Sequence, residues 1–150
     1  MESIHNKQAH FDYEILDTYQ AGLVLTGAEV KSVKAGQINL KGSYITIKHS
    51  PHTELYLTNA HISHYKPSGT KISYDPTRSR KLLVTKKELS HLVGKLEQKG
   101  LTIVPIKVYT IRNLIKIEFG LARGKKKFEK KDLIKEREVN KEIRRTLKYQ

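Results

Sequence analysis

The sequence predicts a mainly β protein: a small, closed or nearly closed antiparallel barrel with accessory helices and a basic C-terminal tail. Short runs rich in Ile, Val, Thr and Tyr recur between turn residues at spacings of about 8–12 residues, as in small antiparallel barrels. Two helical patterns interrupt these runs rather than alternating with them, which argues against a parallel α/β sheet. Composition then changes after residue 123. Residues 124–150 hold 11 Lys and Arg against 5 Asp and Glu, with few apolar residues.

The elements follow in order. Tyr13 to Gly22 mixes aromatic, Ile and Thr residues in rough alternation and ends at a glycine, as a half-buried strand does. Leu23 to Gly27 either continues it or turns. Ala28 to Gly36 reads as a short helix, with Val30 and Val33 three apart and Gly36 at its stop. Ser43 to Lys48 is a strand with Ile45 and Ile47 on one face, and Glu54 to Thr58 returns as its hairpin partner after a turn at Ser50-Pro51-His52. Residues 66–80 read as an exposed loop with a turn at Asp75-Pro76. Lys81 to Val84 suits either a short strand or a lead-in to helix. Thr85-Lys-Lys-Glu88 has the capping-box pattern, and Leu89, Leu92, Val93 and Leu96 give one apolar helical face up to Gly100. Leu101 to Tyr109 and Leu114 to Gly120 form two strands, the first at an edge or bulged because of Pro105. An oligonucleotide-binding (OB) barrel over residues 1–123 is the natural candidate. Residues 124–150, with a thin stripe of Val139, Ile143 and Leu147, are expected to be disordered when free and helical on a charged partner.

Charge narrows the function. The chain has 29 Lys and Arg against 15 Asp and Glu, a net +14, and both the tail and the remainder are positive. A basic arm on a basic domain points to a polyanion, in cells usually nucleic acid. There is no Cys, which removes disulfides, thiol catalysis and zinc ribbons. No apolar run approaches the ~18 residues of a membrane span, and the first ten residues lack a signal peptide's apolar stretch. A soluble cytoplasmic protein is expected.

Catalytic and metal signals are weak. Gly120-x-x-x-Gly124-Lys125 has one residue too few between its glycines for a phosphate loop, and Lys126 stands where Ser or Thr belongs. His49 and His52, and His61 and His64, lie three apart in expected strand or turn, where such pairs point to opposite faces. Neither metal nor cofactor is expected. The stronger pattern is basic residues among tyrosines: Tyr44, Tyr56, Tyr65 and Tyr74 lie among Lys41, Lys48, Lys66, Lys71, Arg78, Arg80 and Lys81. Cations meet phosphates and tyrosines stack on unpaired bases. Tyr44 and Tyr56 are expected to include structural cases.

Several blocks fall in the order and near the spacing of one family. They are Thr26-Gly-Ala-Glu-Val-Lys-Ser32 with Ala35-Gly36, Asn59-x-His61-Ile62-x-x-Tyr65, and Asp75-Pro-Thr-Arg-Ser-Arg-Lys-Leu-Leu83. Lys99-Gly-Leu-Thr-Ile-Val-Pro-Ile106, Gly120-Leu-Ala-Arg-Gly-Lys-Lys126 and Ile134-Lys-x-Arg137 complete the set. Together they resemble small protein B, the SsrA-binding proteins of bacteria, over residues 10–148.

The resemblance implies an OB-type barrel and a non-enzymatic adaptor. Such proteins bind transfer-messenger RNA and deliver it, charged with alanine and accompanied by elongation factor Tu, to ribosomes stalled on mRNA without a stop codon. The nascent chain gains a degradation tag and the ribosome is freed. The implied contacts to the RNA's tRNA-like domain are Gln20, Lys31, Arg78, Arg80, Lys81, Leu83 and Thr85. Arg123, Lys125, Lys126, Lys127, Lys130, Lys131, Lys135 and Arg137 are implied to follow ribosomal RNA from the decoding centre into the mRNA channel. Many members carry Glu in place of Gln20 and Asn or His in place of Thr85. Their frequent Asp-Lys-Arg is Glu129-Lys130-Lys131 here, which keeps the charge pattern. Where a His commonly precedes Asp-Tyr, Phe11 precedes Asp12-Tyr13 and His10 is one place earlier. A generic RNA-binding or ribosomal-type protein with the same barrel, and an RNA-processing enzyme, are the alternatives.

Overall fold

The computed structural model describes residues 3–65 and 73–125. In chain order these form β1 (Ile4–His5), α1 (Ala9–Asp12), β2 (Tyr13–Leu23), α2 (Gly27–Lys34), β3 (Ile38–Asn39) and β4 (Tyr44–Lys48). Then come β5 (Glu54–Thr58), β6 (His61–Ile62), β7 (Arg80–Leu83), α3 (Lys86–Leu96), β8 (Leu101–Ile111) and β9 (Leu114–Gly124). Seven strands make one antiparallel sheet in the order β1-β8-β9-β2-β7-β5-β4, and β3 pairs with β6 apart from it. The sheet curls until β4 packs beside β8, with β1 covering only the Lys107–Val108 part of that strand. This is the mainly β, antiparallel architecture that the alternation predicts.

Alternation decides which face goes inside. Ala21 and Leu23 of β2, Leu55 and Leu57 of β5, Leu82 of β7, and Ile115, Ile117 and Phe119 of β9 all point into one core. The Phe119 ring stacks on Tyr19 at 5.6 Å between centroids. Helix α3 contributes the fully buried Leu92, with Leu89 and Leu96 packed alongside. Its N-cap Thr85 accepts from the Glu88 N–H at 3.2 Å. A complete capping box forms at α2, where Thr26 accepts from the Glu29 N–H and the Glu29 carboxylate accepts from the Thr26 N–H.

The structure departs from the sequence reading in several places. Strand β2 runs through Gly22 rather than ending there. Arg80, expected in an exposed loop, is the first residue of β7, so Lys81 to Leu83 belong to a strand. The rest of that loop is described only from Ser73. Strands β8 and β9 are longer than expected and meet at a two-residue turn, Arg112-Asn113, with φ of 48° and 68°. Both values suit the primed turn of a tight hairpin. The Pro105 bulge is present as a register shift between Pro105 and Lys107. The short elements β1, α1, β3 and β6 have no counterpart in the sequence reading. The pairing of β9 reaches Gly124, opposite Tyr13, and the Lys125 N–H donates to the Asp12 carbonyl at 2.9 Å. The expected order–disorder behaviour of the tail concerns, from residue 126 on, residues outside those described. Among the described residues no helix is long and apolar enough to cross a membrane.

Gly120 is required by packing. A Cβ there would stand 2.9 Å from Ile15 Cγ2 and 3.0 Å from Ile106 Cδ1. Gly120→Ala is therefore expected to lower stability by about 1–3 kcal/mol, the usual range for overpacking. A denaturant melt of the variant checks this.

Candidate nucleic-acid interface

Because directly opposed residues of antiparallel strands share a face, the register assembles a surface on the outside of the sheet. Leu83, Gly22, Lys116 and Tyr109 form one row across β7, β2, β9 and β8. Gln20, Glu118 and Lys107 form the next row. Leu83 is 55% exposed, unusual for a leucine in a strand. Gln20 Nε2 donates to Glu118 at 3.1 Å, and the Tyr109 hydroxyl donates to Gln20 Oε1. Lys107 Nζ lies 3.8 Å from Glu118 and 5.7 Å from the Tyr109 ring centroid. Burial, with Glu118 nearby, pushes the Tyr109 phenol above its ordinary value, so it remains a neutral donor. Two residues beyond Leu83, Thr85 starts α3. The face is thus polar and cationic with an apolar member, which suits a ribose–phosphate chain better than an apolar ligand.

The remaining residues expected on the RNA surface divide sharply. Lys81 shares the β7 face with Leu83 and lies 3.4 Å from Glu54. Lys31 sits elsewhere, on α2, with its ammonium 5.4 Å from the Tyr65 ring centroid. Arg78 is partly exposed, but its guanidinium is engaged by Glu29.

Arg80 corrects the expectation outright. It is 0% exposed and reaches no surface. Its Nε donates to Glu29 at 2.8 Å, Nη1 to the Ala60 carbonyl at 2.7 Å, and Nη2 to the Pro76 carbonyl at 2.9 Å. Tyr74 joins the group: its hydroxyl donates to the Ile62 carbonyl at 2.7 Å and lies 3.4 Å from Arg80 Nη2. Arg80 therefore ties α2, Ala60 just before β6 and the 74–76 turn to β7, and meets no phosphate. Glu29, itself 1% exposed, is the counter-ion. Burial pushes its carboxyl up, but hydrogen bonds from Arg78, the Thr26 N–H and Arg80 outweigh that and hold it at about 2. Among the four tyrosines, Tyr74 is held in this group and the half-buried Tyr56 donates to Glu54 as a structural case, whereas Tyr44 is 50% exposed.

At the far end of β9, Arg123 is exposed opposite Glu14. Lys125 Nζ donates to the His10 carbonyl at 2.6 Å. Lys126, Lys127, Lys130, Lys131, Lys135 and Arg137 lie outside the described residues. The Gly120–Gly124 segment is strand, not a phosphate-binding loop. Among the described residues no three His, Asp or Glu side chains gather as a metal site.

Sequence reasoning missed Gly22, Lys116, Tyr109 and the buried role of Glu29. Of these only Gly22 is marked in the sequence, where it reads as the end of a strand.

Comparison with known proteins shows what the chain is similar to. The family profile described as SmpB protein matches residues 3–149. An SsrA-binding protein of Gloeothece citriformis (strain PCC 7424) is 48% identical over 143 residues, covering 95% of this chain and 90% of its own. That of Sulfurihydrogenibium sp. (strain YO3AOP1) is also 48% identical, over 95% of this chain and 91% of its own. One chain of a solved structure described as "tmRNA-SmpB: a journey to the center of the bacterial ribosome" is similar with a TM-score of 0.66 and 48% identity. The match covers 83% of this chain and 85% of that one.

Proposed function

This chain belongs to the SmpB family, and on that footing we propose that it is an RNA-binding adaptor of trans-translation. It binds transfer-messenger RNA through the tRNA-like domain and carries it to stalled ribosomes, where the nascent chain is tagged for degradation. In this reading elongation factor Tu is met indirectly, through the alanine-charged RNA. The work is done in the cytoplasm and by binding alone, without catalysis.

One observation carries the reading at the level of residues. Gln20 and Leu83, far apart in sequence, stand two strand positions from each other on one exposed face, with Thr85 two residues beyond Leu83. We assign the RNA's tRNA-like domain to that face, with Lys81, Lys107 and Lys116 meeting phosphates. Residues 126–150 we assign to the decoding centre and mRNA channel, where a net positive segment follows ribosomal RNA.

A gel-shift competition tests the assignment. The protein is expected to prefer the tRNA-like domain over random RNA of equal length by at least ~10-fold, or ~1.4 kcal/mol. Equal affinity would favour a generic RNA-binding protein. Cleavage of labelled RNA on incubation would restore the processing-enzyme reading.

A further inference from the structure

Gly22 sits inside an 11-residue strand and is glycine without an internal reason. Its φ is not positive, so the backbone accepts any L residue there. A Cβ added at Gly22 would meet Leu83 Cβ at 3.5 Å and Leu83 Cδ1 at 3.6 Å, ordinary van der Waals contacts. Gly120, two strand rows away, is the opposite case, since a Cβ there meets core atoms at 2.9 and 3.0 Å. Glycine inside a strand weakens it and, when neither backbone nor packing demands it, marks a place where something outside approaches the backbone closely.

The neighbours of Gly22 indicate what approaches. Leu83 stands on one side in the same row and Lys116 on the other, with Tyr109 next to Lys116. Val24, two residues on, is 44% exposed, and its N–H donates to the Lys81 carbonyl at 3.0 Å. The result is a shallow notch with a bare peptide floor, an apolar wall and a cationic wall. A ribose has that complementary form: a flat apolar edge of C–H groups beside a phosphate.

Resting on the reading that this face holds the tRNA-like domain, we propose that Gly22 is a specificity-determining position. One nucleotide of the RNA packs its ribose against the bare backbone of Gly22 and Leu83 and places its phosphate at Lys116. Shape-matched docking of this kind requires a folded RNA that can present a ribose edge, whereas random RNA held by long-range charge does not need the notch.

Gly22→Ala tests this, because one methyl group fills the notch and leaves the charge unchanged. The variant is expected to melt at or above the parent temperature, since alanine is the better strand residue. Its affinity for the tRNA-like domain is expected to fall ~10-fold or more, while its affinity for random RNA stays within about twofold. Unchanged affinity for the tRNA-like domain, in a parent that does select it, overturns the proposal and leaves the functional reading intact. A parent that does not select the tRNA-like domain overturns the functional reading itself. A second measurement does not depend on the variant: the amide resonance of Gly22 in the full-length protein. It is expected to shift on adding the tRNA-like domain and not on adding random RNA. An identical response to both RNAs overturns the proposal.

Discussion

Replacing Glu29 with Ala is expected to remove about 3–5 kcal/mol of folding stability, the usual cost of leaving a buried charge without its partner. The stranded charge is Arg80, which is fully buried and has Glu29 as its carboxylate partner. Urea titration of the purified variant measures it, and a loss below ~1 kcal/mol would mean that Arg80 does not depend on Glu29 as its counter-ion. The same pair predicts an acid transition. The folded carboxyl is held at about 2 against an ordinary 4.5. Its contribution is therefore complete above about pH 4.5 and fades as pH falls toward 2. At ~1.4 kcal/mol per pH unit, the contribution lost is at most about 3.5 kcal/mol. Glu29→Gln should flatten stability over that window. Arg80→Ala should behave as a folding variant: where enough of it is folded, the salt dependence of RNA binding should match the parent's, because no phosphate contact is lost.

Ending the chain at Lys125 is expected to abolish tagging on stalled ribosomes while the tRNA-like domain is still bound. Lys125 is the right boundary because its N–H and Nζ are both held, by Asp12 and His10 carbonyls. Affinity for random RNA should drop more than affinity for the tRNA-like domain, since the removed segment is mostly long-range charge. A tagging assay with purified ribosomes, paired with the gel-shift competition, separates the two effects. Lost RNA affinity with tagging preserved would reverse the division of labour between barrel and tail.

Long elements are legible in the sequence because their signals are local. The apolar spacing of α3, the alternation of β4 and β5, and the hairpin of β8 and β9 all depend on residues close in the chain. The two-residue strands β1, β3 and β6 are held by partners far away, so no local pattern announces them. Arg80 escapes sequence reasoning for a related cause. An arginine in a basic run reads as surface, and the carboxylate that buries it stands 51 residues away. Gly22 reads locally as a strand end. Whether a glycine ends a strand or opens a notch depends on the neighbouring strands. The family blocks group Arg80 with Leu83, which the fold separates into interior and exterior.

Strand β9 joins the row of Gly22 to the end of the sheet. Lys116 lies in the row of Gly22, and Gly124 lies opposite Tyr13, where the chain leaves the sheet. At ~3.4 Å per residue, the strand between them spans roughly 27 Å. Paired on both sides by β2 and β8, it cannot readily stretch or fold. The barrel is then a ruler: it fixes how far the row proposed to hold RNA stands from the end of β9.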